Sequence, residues 1–223
     1  MPVATPMFPL GSVLLPGMPL PLHVFEPRYR ALVERCLEGT PEFGVVLIER
    51  GSEVGGGDQR SDVGTVARIV EAARFDDGRY AIGAVGVRRI RVVRWLPDDP
   101  YPLAEVEDWP DDAAAPSPAD LAPVVVAFRR VLGLAAELGL AVPPATVELA
   151  EDPGLAVTQM AAAAPLGPVD RYGLLLAAGP AERLARLAEL LEDQSELLDG
   201  QLRMADLDGP DGEGSGEEPE DRW

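Results

Sequence analysis

The chain carries one histidine, His23, and one cysteine, Cys36, among its 223 residues. Zinc sites recruit several Cys or His ligands at characteristic spacing, so these two residues support no such site. A Ser-His-Asp relay would have to be built on His23, and no GxSxG elbow accompanies it. Cys36 falls beside Leu32, Val33 and Leu37 on an apolar helical face, where a thiol is a small core residue rather than a nucleophile. Gly55-Gly56-Gly57 invites a phosphate-cradle reading. That chemistry needs a Gly-Lys-Ser/Thr continuation, and all 19 basic residues here are arginine. No GxGxxG followed by an acid is present, which removes a dinucleotide fold. Carboxylates are so abundant, 38 in all, that spacing singles out no acid–base pair. The sequence therefore predicts no catalytic residue, no cofactor and no metal.

Recognition chemistry remains. Exposed apolar residues mark surfaces that take up unfolded polypeptides. Met18, at the tip of Pro16-Gly17-Met18-Pro19, fits such a role because methionine adapts to varied partners. Phe8, Trp95 and Tyr101 are further candidates, each equally suited to the core. Glu26 and Arg28, within Glu26-Pro27-Arg28-Tyr29, could present paired charges to a peptide. The same box has a structural reading. A carboxylate at a helix N-terminus is favoured by ~0.3–1 kcal/mol, and Tyr29 opens an apolar stripe. The alternative partner is RNA, gripped by Arg88, Arg89, Arg91 and Arg94 beside Trp95. Against that stands a net charge of -19. The segment from Asp208 onward contributes -6 of it, which leaves -13 on residues 1–207. Such a field repels nucleic-acid backbones and anionic membranes, so the arginines are expected to form a solvated strand face that neutralises nearby acids.

These candidates must be positioned by two kinds of element. Pro19 to Phe25 alternates, with Leu20, Leu22 and Val24 on one face, and its prolines predict an edge strand. Pro27 opens a helix whose stripe is Tyr29, Leu32, Val33, Cys36 and Leu37, and Gly39 ends it. Phe43 to Ile48 reads as a buried strand and Gly51 to Asp62 as a loop. Asp77-Gly78 joins Thr65–Phe75 to Arg79–Val87 in a hairpin, and extended chain continues through Arg88–Trp95, with Leu103–Trp109 as a last strand. Pro110 to Pro118 is a polar connector. Beyond it Leu121, Val124, Val125, Phe128 and Leu132 share a helical face, entered through Ser117, Pro118 and Asp120. Further helices are predicted over Pro153–Ala164 and Pro168–Ala177. One more starts near Pro180, with Leu184, Leu187, Leu191 and Leu198 in a stripe. The fold class is α+β with segregated halves: a β-rich part over residues 1–112, a linker at 113–119, a helical bundle over 120–207 and a disordered acidic tail at 208–223. With one cysteine, no signal peptide and no apolar run of membrane-spanning length, the expectation is a soluble cytoplasmic protein.

Read together, these motifs resemble the N-terminal domain of Lon proteases. They are Phe8-Pro9-Leu10, Pro16-Gly17, Pro21-Leu22, Glu26-Pro27-Arg28-Tyr29, Gly64-Thr65-Val66-Ala67, Gly78-Arg79-Tyr80 and Gly86-Val87-Arg88-Arg89. The resemblance covers about the first 110 residues, and the helical half is similar in layout, including Glu182-Arg183-Leu184. It implies a PUA-like β subdomain followed by a helical bundle, engaged in capturing unfolded or tagged polypeptides. Lon's ATPase and peptidase each need a lysine, which this sequence cannot supply, and an acidic tail stands where the family's long helix would lead into the ATPase. The resemblance thus predicts a stand-alone, non-catalytic binding module, an adaptor for polypeptides or for a protease or chaperone partner.

Overall fold

The computed structural model describes residues 4–50, 59–112 and 115–207, so the triple glycine and the acidic tail lie outside the described residues. Six strands come with one helix, and four more helices follow. They are β1 (Ala4–Leu10), β2 (Pro19–Val24), α1 (Pro27–Glu38), β3 (Glu42–Arg50), β4 (Gln59–Arg74), β5 (Tyr80–Leu96), β6 (Leu103–Asp108), α2 (Pro118–Glu137), α3 (Pro153–Ala163), α4 (Pro168–Leu176) and α5 (Pro180–Leu207). The α+β class matches the sequence reading, as does the order of elements from β2 onward; β1 is a strand the sequence reading does not contain, and β5 runs unbroken through Arg79–Val87 and Arg88–Trp95. Two boundaries move. Strand β4 begins at Gln59, so residues 59–62 are extended rather than loop, and α2 begins at Pro118, inside the expected linker.

The sheet order is β2-β5-β4-β3-β1-β6, and a further β5–β6 pairing closes five of the strands into a ring. Met7, Val46, Val66, Ile90, Val92 and Ala104 form the small core cluster that these strands share. Strand β2 pairs only with β5, which leaves its other edge open, as its prolines require. His23 is exposed on it. Helix α1 covers one flank of the sheet through Tyr29, Leu32, Val33 and Cys36, whereas Leu37, expected on that stripe, is 47% exposed.

The helical half packs α2 along α5, with α3 and α4 closing the bundle around Phe128, Leu132, Met160, Leu174 and Leu187. Ser117 and Asp120 form the expected capping box at the start of α2. Leu15 and Val63, from the β half, belong to the same cluster as these helical residues. The two halves therefore share a core.

A single bulge decides how the halves are joined. Ala67 pairs with Gly86 and Val66 with Arg88, so Val87 has no partner across the strand. Adjacent residues of β4 point to opposite faces, so the extra residue flips the alternation of β5 beyond it. Arg89 then shares the face of Thr65, which the helices cover, and is only 3% exposed. This corrects the expectation of a solvated arginine face for Arg89 alone, since Arg91 and Arg94 are exposed and Arg88 and Arg94 pair with acids. The Arg89 guanidinium meets Asp111 at 2.6 Å and donates to the carbonyls of Leu175 (2.7 Å), Ala177 and Trp109. Arg183, equally buried, donates to both oxygens of Asp111 at 2.9 Å and to the carbonyl of Leu174 at 3.0 Å. One carboxylate on the connector thus ties β5 to the start of α5.

Candidate peptide-binding groove

The Pro16–Pro19 loop turns where the sheet meets the helices. Gly17 has φ of 83°, a left-handed conformation that suits glycine. The loop is laced to β5: the Gly17 N–H donates to the Gly86 carbonyl at 2.8 Å, and the Gly86 N–H donates to the Met18 carbonyl at 2.9 Å. A side chain at Gly86 would come within 2.5 Å of the Leu15 carbonyl oxygen, so only glycine permits this approach. Met18 is consequently half-buried and touches both the helical core and the α1-side core.

Beneath Met18 lies an open groove of roughly 640 Å³. One wall is the loop itself, and the other comprises the segment after α2 and the C-terminal end of α3, including Leu140, Val142, Val147 and Ala163. Leu140 is 46% exposed there, and Leu155, which approaches Gly17, is 42% exposed. The size and apolar lining suit several peptide side chains.

Among the described residues, Arg171 of α4 and Glu148 are the only charged ones that line the groove. One Arg171 nitrogen, Nη2, donates to the carbonyls of Ala162 (3.3 Å) and Ala164 (2.9 Å), capping the end of α3. Its Nε is buried with no partner among the described residues. Burial lowers the pKa of this guanidinium, and no carboxylate opposes that shift.

The other predicted contacts lie elsewhere. Phe8 stacks on Tyr29 with ring centroids 4.1 Å apart and is 7% exposed, and Tyr101 is 9% exposed. Both are core residues, because β1 and the segment before β6 run under α1. Glu26 and Arg28 pair with each other at 3.0 Å, and Arg28 lies 4.5 Å over the Tyr29 ring, which gives the box its structural role. Trp95 carries the Arg60 guanidinium 4.9 Å above its ring and takes no part in the groove lining. Pro16 and Met18 alone of the seven belong to the groove's loop.

The basic strand is largely neutralised. Arg88 bridges Glu42 at 2.8 Å and Asp108 at 2.9 Å, Arg94 pairs with Glu105, and Arg91 lies 4.5 Å over Trp109. A second cavity of about 470 Å³ opens beside Arg35, Cys36, Glu42 and Tyr101. Its acid is already held by two arginines and its thiol is pushed up to about 11 by burial, so it offers no ready nucleophile or base.

Comparison with known proteins assigns this architecture. The family described as the ATP-dependent protease La (LON) substrate-binding domain matches residues 4–193. The chain belongs to that family. It is 28% identical over 202 residues to Lon protease 2 of Myxococcus xanthus, covering 88% of this chain and 24% of that protein. It therefore spans about a quarter of the length of such curated relatives. A LON peptidase N-terminal domain and RING finger protein of Schizosaccharomyces pombe is 27% identical over 114 residues, 46% of this chain and 23% of that one. Among solved structures, the Lon N-terminal domain protein of Xanthomonas campestris superimposes with a TM-score of 0.61 at 30% identity, over 83% of this chain and 96% of that one. The N-terminal domain of Mycobacterium avium complex Lon protease shares the fold, with a TM-score of 0.56 at 18% identity over 87% and 98% of the two chains.

Proposed function

We propose that this chain is a non-catalytic module that holds apolar segments of unfolded or tagged polypeptides in the groove beneath Met18. It works in the cytoplasm as an adaptor in protein quality control, alone or beside a protease or chaperone. The observation that carries this reading is the groove itself: a concave apolar surface, with Leu140 46% exposed, held open by a loop stapled to β5. Family membership supports polypeptides as the class of ligand.

The test is fluorescence anisotropy with labelled unfolded β-casein. Affinity in the micromolar range is expected, since a single module lacks multivalent reinforcement. Met18→Gln and Leu140→Gln, both at partly exposed positions, are each expected to weaken binding about threefold to tenfold without changing the fold. No binding by the folded protein, or binding by both variants as tight as that of wild type, would overturn the reading. RNA binding has less support, because Arg88 and Arg94 are ion-paired and Arg89 is buried. A salt-sensitive RNA gel shift that is lost on mutating Arg88 and Arg91 would restore it.

A further inference from the structure

Acids outnumber bases two to one in this chain, 38 against 19, yet Arg171 has no acidic partner among the described residues. The two arginines on the joint between the halves differ from it, for Arg89 and Arg183 both meet Asp111. Capping of α3 explains one nitrogen of Arg171, through the carbonyls of Ala162 and Ala164. It does not explain the remaining donors, of which Nε is buried without a partner. Leaving a guanidinium half-desolvated and unpaired is unfavourable, and a bound anion would relieve that cost. Glu148, the other charged residue of the groove, is exposed and forms no ion pair with it.

From this geometry we infer that the groove takes the C-terminal end of an apolar polypeptide, with the terminal carboxylate on Arg171 and the last side chains against Met18, Leu140 and Val147. The inference rests on the groove being the peptide site and specifies which part of a polypeptide enters it. A chain terminus fits better than an internal Asp or Glu. An internal acid would bring peptide groups in on both sides, and the lining is mostly side chains of Ala, Val, Leu and Pro, which cannot satisfy them. A terminus enters from one side only and delivers its charge next to an apolar side chain. The Nη1 edge of the guanidinium, which takes no part in capping α3, can then donate a charge-assisted hydrogen bond to the carboxylate.

The experiment compares one labelled hexapeptide, SGALVA, with a free C-terminal carboxylate and with that carboxylate amidated, on the full chain by anisotropy. The free acid is expected to bind wild type at least about tenfold more tightly than the amide. In Arg171→Gln that ratio should fall to about one, and Arg171→Lys should keep part of it. Equal binding of acid and amide by wild type overturns the inference, and this comparison needs no variant to fold. If acid and amide bind equally and Leu140→Gln weakens both, the groove stands as the peptide site and only the carboxylate is lost. If neither peptide nor unfolded β-casein binds, both readings fall together.

Discussion

At the scale of single residues, burial rather than residue type sets the chemistry. Cys36 is 2% exposed and its Sγ donates to the Glu42 carbonyl at 3.4 Å. Burial pushes its pKa from 9.0 to about 11, against a smaller opposing effect of Arg35. At pH 8 the thiolate fraction falls about 100-fold, so the native protein is expected to react with a thiol reagent at least about 100-fold more slowly than the urea-unfolded chain. Fast native labelling would contradict this. For Glu42, burial pulls the pKa upward, but the hydrogen bonds and charges of Arg88 and Arg68 together outweigh it, and the net shift is below the ordinary 4.5. A folded pKa below the unfolded one gives stability that is complete above 4.5 and is lost as pH falls through the folded value. Glu42→Gln is therefore expected to be destabilised at neutral pH, and the gap to wild type should close as pH falls below 4.5 in urea titrations.

At the scale of elements, the groove depends on how closely β5 approaches the Pro16–Pro19 loop. A methyl group at Gly86 would meet the Leu15 carbonyl oxygen at 2.5 Å. Gly86→Ala is expected to cost about 1–3 kcal/mol and to weaken groove binding by shifting Met18. Gly133, in α2, is the opposite case, since nothing lies within 4 Å of its would-be side chain. Gly133→Ala should stabilise the protein by about 0.5–1 kcal/mol, because alanine loses less backbone freedom in a helix. Paired thermal denaturation of the two variants checks both signs. Much of this level was legible in the sequence. Proline at the first turn of α1, α2, α3 and α4, the Asp77-Gly78 turn and the Ser117 cap are local signals that need no tertiary context. Leu37 misled because one apolar residue beyond the stripe fits the helical period while pointing outward.

At the scale of the whole molecule, the two halves share one core and one buried ion-pair joint, so they are expected to unfold together. Leu15 and Val63 join the helical core, and Asp111 holds two guanidiniums whose side chains are each 2% exposed. Asp111→Ala would leave both charges buried without their carboxylate. A loss of about 3 kcal/mol is expected, at the low end for a broken buried pair because Asp111 is itself 33% exposed. In a Trp223→Phe chain, unfolding followed by far-ultraviolet circular dichroism, which reports mainly the helices, should coincide with unfolding followed by the fluorescence of Trp95, in the β half, and Trp109, where that half meets the helices. Two separate transitions would show that the joint does not couple the halves.

By itself the sequence determined the α+β class, the order of elements from β2 onward, the family resemblance and the loop that carries Met18. These follow from turn chemistry, periodicity and motifs, all of which act over a few residues. Only the tertiary structure decided which candidates meet. A one-residue bulge at Val87 turned Arg89 inward, long-range packing buried Phe8 and Tyr101, and Arg171, with no local signal, came to line the groove. Burial and pairing depend on segments far apart in the chain, and no short-range pattern encodes them.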